Sequence, residues 1–176
     1  MIYTECKLRG AFVVEPEVIR DERGGFAYLF ESREAAARGL RTGVVQVKLS
    51  YNYYKGTLRG MHYQAPPAAE VKLVRCIRGA VWDVIVDLRT DSQTYLQHFA
   101  VELSADNRKA LYVPQMFAHG YQTLTDDAEV VYQVDEFYSP QNERGLRYDD
   151  PKLGIQWPLA VHSISKKDQA WALLES

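Results

Sequence analysis

Residues 55–72, which read KGTLRGMHYQAPPAAEVK, contain the densest set of side chains that could do chemistry. Arg59, His62 and Lys72 lie here among two glycines and two prolines. The fork of an arginine suits a diphosphate, a histidine can take up and return a proton near neutral pH, and a lysine can stabilise an oxyanion. On spacing alone, the stretch is as compatible with a surface turn that carries a solvated arginine and a packed histidine.

Two further segments carry side chains of a similar kind. His119 stands in the sequence VPQMFAHGY, bounded by a proline and a glycine, which favours a loop between strands and a ligand contact. A histidine that only supports the structure is an equal alternative. Tyr132 falls in a β-forming run, where its hydroxyl would need a partner inside a barrel. The pattern alone favours a core tyrosine at this position.

The positions of histidine and cysteine argue against a metal site. A mononuclear site in a barrel needs two histidines close together with further ligands, whereas the four histidines stand singly, at His62, His98, His119 and His162. The sequence has no Cys-x-x-Cys motif, no glycine-rich phosphate loop of the Walker or Rossmann type and no serine nucleophile elbow. We therefore expect no metal and no bound cofactor.

Short β-forming runs separated by turn signals make up most of the chain. One helix is predicted over residues 31–38 (ESREAAAR) and a second, short one over residues 166–174. Asp83 stands inside an otherwise apolar run, which indicates a strand buried on most of its surface. Many short strands with a few short peripheral helices predict an all-β sandwich or small barrel, in one domain over residues 1–176. Strands are predicted over residues 44–49, 71–77, 80–88, 99–103, 110–113 and 129–134.

Composition narrows the class of protein further. A chain of 176 residues can bury a hydrophobic core without the support of disulfide bonds or metal ions. Its formal net charge of −2 argues against nucleic acid as a partner. The first six residues lack the long apolar region of a signal peptide, and no uncharged apolar run is long enough to span a bilayer. Cys6 and Cys76 do not form a disulfide framework. We expect a cytoplasmic protein that binds neither nucleic acid nor a membrane.

Residues 55–64, KGTLRGMHYQ, resemble the signature of the dTDP-4-dehydrorhamnose 3,5-epimerase family of cupin-type sugar-nucleotide epimerases. The resemblance implies a cupin jelly-roll barrel that acts on a nucleotide-diphosphate sugar. It also implies a homodimer whose N-terminal strands cross to the partner. The likeness continues in the same order over nearly the whole chain, at residues 72–75, 82–89, 114–120, 138–140, 149–151, 155–158 and 165–168.

The same resemblance implies roles for five side chains in proton transfer beside a 4-keto group. His62 matches the base, and Asp168 matches the carboxylate that orients it and stabilises its charge. Lys72 matches the group that stabilises the enolate oxygen. Tyr132 matches the donor that returns a proton to the opposite face, which inverts the carbon. His119 is expected near the sugar ketone.

Other positions match substrate contacts of the family, and two depart from it. Arg23 and Arg59 resemble its diphosphate contacts. Tyr28 stands where the family usually has Glu, and Lys48 where it usually has Asn; both positions are on the nucleotide side. The donor could therefore carry dTDP, GDP, CDP or UDP. Further nucleotide-side or sugar-side matches are Phe26, Gln46, Tyr138, Glu143 and Lys167.

The sequence leaves several functions open within this framework. The leading one is an epimerase that inverts C3, C5 or both in a nucleotide-linked 4-keto-6-deoxy sugar, in activated deoxysugar biosynthesis. The nearest alternative is a ketoisomerase that relocates the ketone. A non-catalytic sugar-binding barrel is disfavoured because His62, Tyr132 and Asp168 are all present. A metal-dependent oxygenase is disfavoured because the sequence has no His-x-His motif.

Overall fold

The computed structural model describes residues 1–174, so residues 175 and 176 of the expected domain lie outside the described residues. Within residues 1–174 the structure has two short helices, α1 (Ser32–Ala36) and α2 (Lys166–Gln169), and a single 3-10 turn at Pro140–Asn142. The strands, in chain order, are β1 Ile2–Glu5, β2 Phe12–Glu15, β3 Ile19–Asp21, β4 Gly24–Phe26, β5 Gln46–Asn52, β6 Thr57–Gln64, β7 Lys72–Arg78, β8 Ala80–Asp87, β9 His98–Ser104, β10 Ala110–Val113, β11 Phe117–Thr123, β12 Ala128–Val134, β13 Glu143–Gly145 and β14 Ser163–Ile164.

The strands form two sheets and a separate hairpin. The first sheet has the order β1-β2-β10-β7-β12-β5, and the second has the order β13-β6-β11-β8-β9, with β14 parallel to β6. β3 and β4 pair only with each other. Each of the six strands predicted from the sequence overlaps an observed strand, namely β5, β7, β8, β9, β10 and β12. The predicted all-β cupin-type jelly roll is confirmed.

The main core lies where the two sheets face each other. Val74 and Val130 of the first sheet join the same buried cluster as Ile85 and Phe117 of the second. A second cluster covers the other face of the second sheet, where Met61, Val84 and Ala118 pack against Leu146 and Leu153. Burial of apolar surface on this scale is the main favourable term in folding. Strand β8 is covered on both faces, as the apolar run around Asp83 predicted.

Both helices are shorter than the sequence predicted. In α1, the Glu31 side chain accepts a hydrogen bond from the Glu34 N–H at 2.7 Å and caps the first turn. In α2, the Ser165 hydroxyl accepts one from the Asp168 N–H at 3.0 Å. The second helix ends at Gln169 instead of residue 174. Among residues 1–174, no helix has the length and apolar character needed to cross a membrane.

Two predicted turns or loops are strands in the structure. Residues 57–64 form β6, which excludes the surface turn considered for that stretch. His119 lies inside β11, so its assignment to a loop is wrong. The neighbouring Gly120 serves close packing and does not mark a turn, because an added Cβ would lie 2.6 Å from Met61 Sδ and 2.8 Å from the Arg59 carbonyl oxygen.

Candidate active site

A cavity of about 460 Å³ is lined by strands of both sheets and by the segment that leads into α2. Its volume falls in the range of small-molecule sites. The structure gathers seven of the predicted site residues around this one space. They are Arg59, His62, Lys72, His119, Tyr132, Lys167 and Asp168.

An irregularity in β6 turns two of these side chains toward the cavity. His62 pairs with His119, and Arg59 pairs with Tyr121, so β6 has one residue more than β11 between the two pairs. Residues three apart face opposite sides of a regular strand, whereas a bulge redirects a side chain. Gly60 lies in the bulge at φ +126°, and an added Cβ would lie 2.5 Å from the Gly120 Cα. The bulge thus puts a cation and an imidazole on the same wall.

His62 and Asp168 form a hydrogen-bonded pair at the edge of the cavity. His62 Nε2 lies 2.7 Å from Asp168 Oδ1, and the Gly60 N–H donates to Asp168 Oδ2 at 3.1 Å. Burial acts to raise the pKa of the Asp168 carboxyl, but the hydrogen bonds from His62 and Gly60 outweigh it and hold that pKa below its usual value. An ionised carboxylate accepts only, so the neutral imidazole carries its proton on Nε2 and exposes the Nδ1 lone pair.

A second histidine–carboxylate pair lies deeper in the fold. His119 Nε2 lies 2.9 and 3.0 Å from the two carboxylate oxygens of Asp83. Asp83 is 0% exposed, and His119 is 8% exposed and lines the cavity. A buried carboxylate needs such a partner. The unexplained acid in the apolar run of β8 therefore orients the histidine of the neighbouring strand.

Lys72 and Tyr132 are two further predicted site residues that line the cavity. Lys72 is 8% exposed, its Nζ lies 3.3 Å from Glu70 Oε1, and it donates to the His62 carbonyl oxygen at 3.4 Å. Burial, with a smaller contribution from the Glu70 carboxylate, raises the pKa of the Tyr132 hydroxyl. Tyr132 therefore keeps its proton at neutral pH and can donate it.

Four other predicted substrate contacts form a connected group with Lys167 beside the cavity. Gln46 Oε1 accepts from the Tyr138 N–H at 3.2 Å, and the Tyr138 hydroxyl donates to Glu143 Oε2 at 2.6 Å. Lys167 Nζ lies 2.6 Å from Glu143 Oε1. Lys48 Nζ lies 5.9 Å from the Tyr132 ring centre and 5.6 Å from that of Tyr138, within the range of a cation–π contact.

Three predicted contacts stand apart from the cavity within this chain. Arg23, Phe26 and Tyr28 belong to the β3–β4 hairpin or directly follow it. The Arg23 side chain is 83% exposed and paired with Asp21 at 2.5 Å. Phe26 and Tyr28 are 59% and 60% exposed, and their rings meet edge to face at 5.3 Å.

Several groups at the cavity wall or behind it could not be named from the sequence pattern. Asp83 lies behind His119, and an acid in an apolar strand is a signal of such a buried partner. The hydroxyl groups of Ser50 and Tyr121 contact each other at 2.6 Å and also line the cavity. Residues 163–165 form another side of it, and nothing in their local pattern indicates that role.

Within residues 1–174, His, Cys, Asp and Glu side chains do not gather in groups of three or more that could hold a metal ion. Metal independence stays a prediction.

Known proteins resemble this chain over nearly its full length. A profile of the dTDP-4-dehydrorhamnose 3,5-epimerase family matches residues 5–176. A dTDP-4-dehydrorhamnose 3,5-epimerase of Methanothermobacter thermautotrophicus is 41% identical over 172 residues, which cover 96% of this chain and 92% of the relative. The crystal structure of a Bacillus anthracis enzyme of that name, with TDP and PPi bound, superposes with a TM-score of 0.94 at 39% identity, over 98% of this chain and 99% of the other.

A third relative is described as a 3′-monoepimerase. It comes from Streptomyces bikiniensis, and its structure in complex with dTDP-quinovose has a TM-score of 0.87 and 32% identity, over 96% of this chain and 85% of the other.

The fold is that of a cupin-type protein, and its cavity gathers ionisable side chains that can exchange protons. With the matches over most of its length, the chain belongs to the dTDP-4-dehydrorhamnose 3,5-epimerase family, a family of isomerases.

Proposed function

We propose that this chain inverts C3 and C5 of a dTDP-linked 4-keto-6-deoxy sugar, in the biosynthesis of an activated deoxysugar. The observation that carries the proposal is the His62–Asp168 pair at 2.7 Å, which shares one cavity with Lys72 and Tyr132. Together these groups supply a base, an oxyanion partner and an acid, as proton transfer beside a ketone requires.

Each inversion begins with loss of the proton beside the ketone. His62 Nδ1 takes this proton, and the electrons of the C–H bond form the carbon–carbon double bond of an enolate. Asp168 stabilises the imidazolium that results. Lys72, with its charge held in a buried position, stabilises the negative enolate oxygen. His119 lines the same cavity from the second sheet, and its proposed place is near that oxygen.

The inversion ends with a proton delivered from the other face. The Tyr132 hydroxyl donates it to the carbon, the enolate electrons form the new C–H bond, and the carbonyl is restored. Solvent then reprotonates Tyr132 and takes the proton from His62. The Tyr132 hydroxyl, whose pKa is raised by burial, is protonated before each turnover and so has a proton to give.

The diphosphate would lie at Arg59, and the nucleotide would extend toward Tyr138, whose ring is exposed enough to stack on a base. Lys48 lies over that ring, and Gln46 accepts from the Tyr138 N–H. Lys167 pairs with Glu143, which accepts from the Tyr138 hydroxyl. Tyr28 and Lys48 replace residues usual in the family, so the preference for dTDP over GDP, CDP or UDP is part of the proposal. Titration with the four free nucleoside diphosphates tests it.

The proposal includes a homodimer in which each hairpin enters the partner's cavity. Arg23, Phe26 and Tyr28 are the predicted contacts that their own chain leaves exposed. Strand β5 forms one edge of the first sheet and exposes 62% of Val47 and 61% of Leu49. Open apolar edges of this kind are usually covered in a folded protein. A second copy would cover the edge and complete the site.

Solvent hydrogen exchange tests the reaction directly. The protein would be incubated in D2O with dTDP-4-keto-6-deoxyglucose, and NMR and mass spectrometry would locate the label. Deuterium at C3 and C5 with inverted product supports the proposal. Label at C3 alone would favour a single-centre enzyme, an alternative that the likeness to the Streptomyces bikiniensis monoepimerase keeps open. A relocated ketone would identify a ketoisomerase. The absence of deuterium from the sugar would contradict the proposed reaction.

The proposed setting is the cytoplasm. The thiols of Cys6 and Cys76 are both free in the structure. Reduced cysteines are usual in that compartment.

A further inference from the structure

Two uncharged oxygen atoms hold the guanidinium of Arg59. Its Nε donates to Asn52 Oδ1 at 2.7 Å, and its Nη2 donates to the Tyr51 carbonyl oxygen at 3.1 Å. A guanidinium has five N–H donors in a fixed plane, so the remaining donors are left for a molecule in the cavity that Arg59 lines.

The orientation of the Asn52 amide is fixed from its other end. Asn52 is 2% exposed, and its Nδ2 donates to the Ala128 carbonyl oxygen at 3.0 Å. The Tyr121 hydroxyl lies 3.3 Å from the same nitrogen. Because a carbonyl oxygen only accepts, the amide nitrogen must face Ala128 and the amide oxygen must face Arg59. The backbone of β12 thus determines which atom Arg59 meets.

Arg59 differs from several other arginines of the chain because both groups that hold it are uncharged. No Asp or Glu among residues 1–174 forms an ion pair with Arg59, which donates instead to a side-chain amide and a backbone carbonyl. Several other arginines pair with an aspartate at 2.8 Å or less, namely Arg23, Arg41, Arg89 and Arg147. A carboxylate partner would hold the guanidinium as well as an amide does, but it would offset the positive charge that attracts an anion.

We propose that Asn52 is the positioning residue of Arg59, which it orients toward the substrate diphosphate without neutralising it. The inference rests on the proposed function, in which Arg59 is the diphosphate contact. Asn52 itself need not touch the substrate. Its amide lets a buried hydrogen bond fix the direction of the side chain while the whole charge stays available to the phosphates.

Two substitutions of Asn52 separate the loss of its contact with Arg59 from the addition of a negative charge beside Arg59. Asn52→Asp keeps the size of the side chain and an oxygen facing Arg59, but introduces a carboxylate. Asn52→Ser withdraws the contact without adding charge. Affinities for dTDP and inorganic pyrophosphate would be measured by calorimetry, and the affinity for thymidine by NMR titration. We expect Asn52→Asp to weaken dTDP and pyrophosphate binding by about tenfold or more, and Asn52→Ser by less, with thymidine binding unchanged in both.

The matched control is Gln122→Glu. Gln122 is a fully buried amide in β11, exchanges hydrogen bonds with the Leu159 backbone at 2.9 and 3.0 Å, and does not line the cavity. The substitution buries the same new charge without touching Arg59. It should lower Tm and leave the ratio of dTDP to thymidine affinity at the wild-type value. In turnover, Asn52→Asp should raise KM by about tenfold and change kcat by less than about twofold.

The outcomes separate this inference from the proposed function. An unchanged affinity ratio in Asn52→Asp, with a lowered Tm, would make Asn52 purely structural and overturn the inference. If Asn52→Asp does not fold, the same ratio in Asn52→Ser decides. A wild-type protein that binds pyrophosphate but prefers another nucleotide contradicts only the proposed substrate, and the pyrophosphate measurements still decide the role of Asn52. A wild-type protein that binds neither dTDP nor pyrophosphate contradicts both.

Discussion

Asp168 determines which ring nitrogen of His62 can accept a proton. Because the carboxylate stays ionised, it fixes the imidazole proton on Nε2 and leaves Nδ1 as the atom that accepts a proton. His119 is oriented by Asp83 in the same way, but deeper in the core. The two histidines are paired on neighbouring strands, so two imidazoles of fixed orientation face one cavity.

Asp168→Asn should slow turnover far more than it weakens binding. An asparagine can donate to Nε2, which moves the imidazole proton to Nδ1 and removes the base. We expect kcat to fall by about 10²- to 10⁴-fold while the Kd for dTDP changes little, as measured by steady-state kinetics and calorimetry. Asp150→Asn is the control, since Asp150 is also buried, at 2% exposure, but does not line the cavity. A kcat within about twofold of wild type in Asp168→Asn would contradict the assignment.

Tyr132→Phe should separate the two halves of the reaction. In the proposed mechanism, proton removal by His62 does not need the hydroxyl, whereas delivery from the opposite face does. In D2O we expect the substrate to exchange its α-hydrogen while the inverted product is lost, as read by NMR. Tyr112→Phe provides the comparison, because Tyr112 accepts from the Arg41 N–H at 2.9 Å and does not line the cavity. Inverted product at the normal rate would mean that another group is the donor.

The strand β6 is the element on which the site depends most. Its bulge lets Arg59 and His62 share one wall, and it requires a residue without a side chain at Gly60, where β11 approaches closely. A bulge next to an active site is a common way to redirect a side chain.

Gly60→Ala should therefore reduce both stability and activity. The new Cβ would meet the Gly120 Cα at 2.5 Å, at a φ of +126° that other residues rarely adopt. We expect a loss of about 2–4 kcal/mol in the free energy of unfolding by urea denaturation. Gly39→Ala is the control. Gly39 also has a positive φ, +73°, but nothing lies within 4 Å of its added Cβ, so the loss should be about 1 kcal/mol. Equal losses in the two variants would argue against a steric role for Gly60.

The regular strands could be predicted from the sequence, and the irregular parts could not. Alternating or continuous apolar runs gave β5, β7, β8, β9, β10 and β12 close to their observed bounds. His119 was assigned to a loop because Pro114 and Gly120 are ordinary turn signals. The pattern around Gly120 does not reveal that a strand 60 residues away in sequence passes against it, since only the tertiary fold brings β6 there.

At the scale of the whole molecule, the fold joins residues that no sequence spacing relates. His62 and Asp168 are 106 positions apart and meet because β14 runs parallel to β6 and delivers α2 to its side. Their pairing could be expected only from resemblance to a family. Asn52 and Arg59 are only seven positions apart, yet the orientation of the Asn52 amide depends on Ala128, so their contact could not be predicted from local sequence.

Mixing two inactive variants tests whether the hairpin serves the partner's cavity. Arg23→Ala would remove the proposed diphosphate contact of the hairpin, and His62→Ala would remove the proposed base. If each site combines the barrel of one subunit with the hairpin of the other, a heterodimer has one intact site. Random reassociation of equal amounts should then restore about one quarter of wild-type activity. Each variant refolded alone is the control, and a mixture no more active than the two variants separately would contradict hairpin exchange.

The bulged strand also has a consequence for which molecules can react. Arg59 and His62 are three residues apart on one strand, so their Cα atoms are separated by no more than about 10 Å. That spacing cannot change unless β6 bends against the strands packed on it. On the proposed assignment, this fixed spacing selects substrates by the distance between their diphosphate and their ketone. A sugar joined to its nucleoside through a shorter or longer phosphate linkage would still bind Arg59 through its phosphates. Its ketone, however, would lie out of reach of His62.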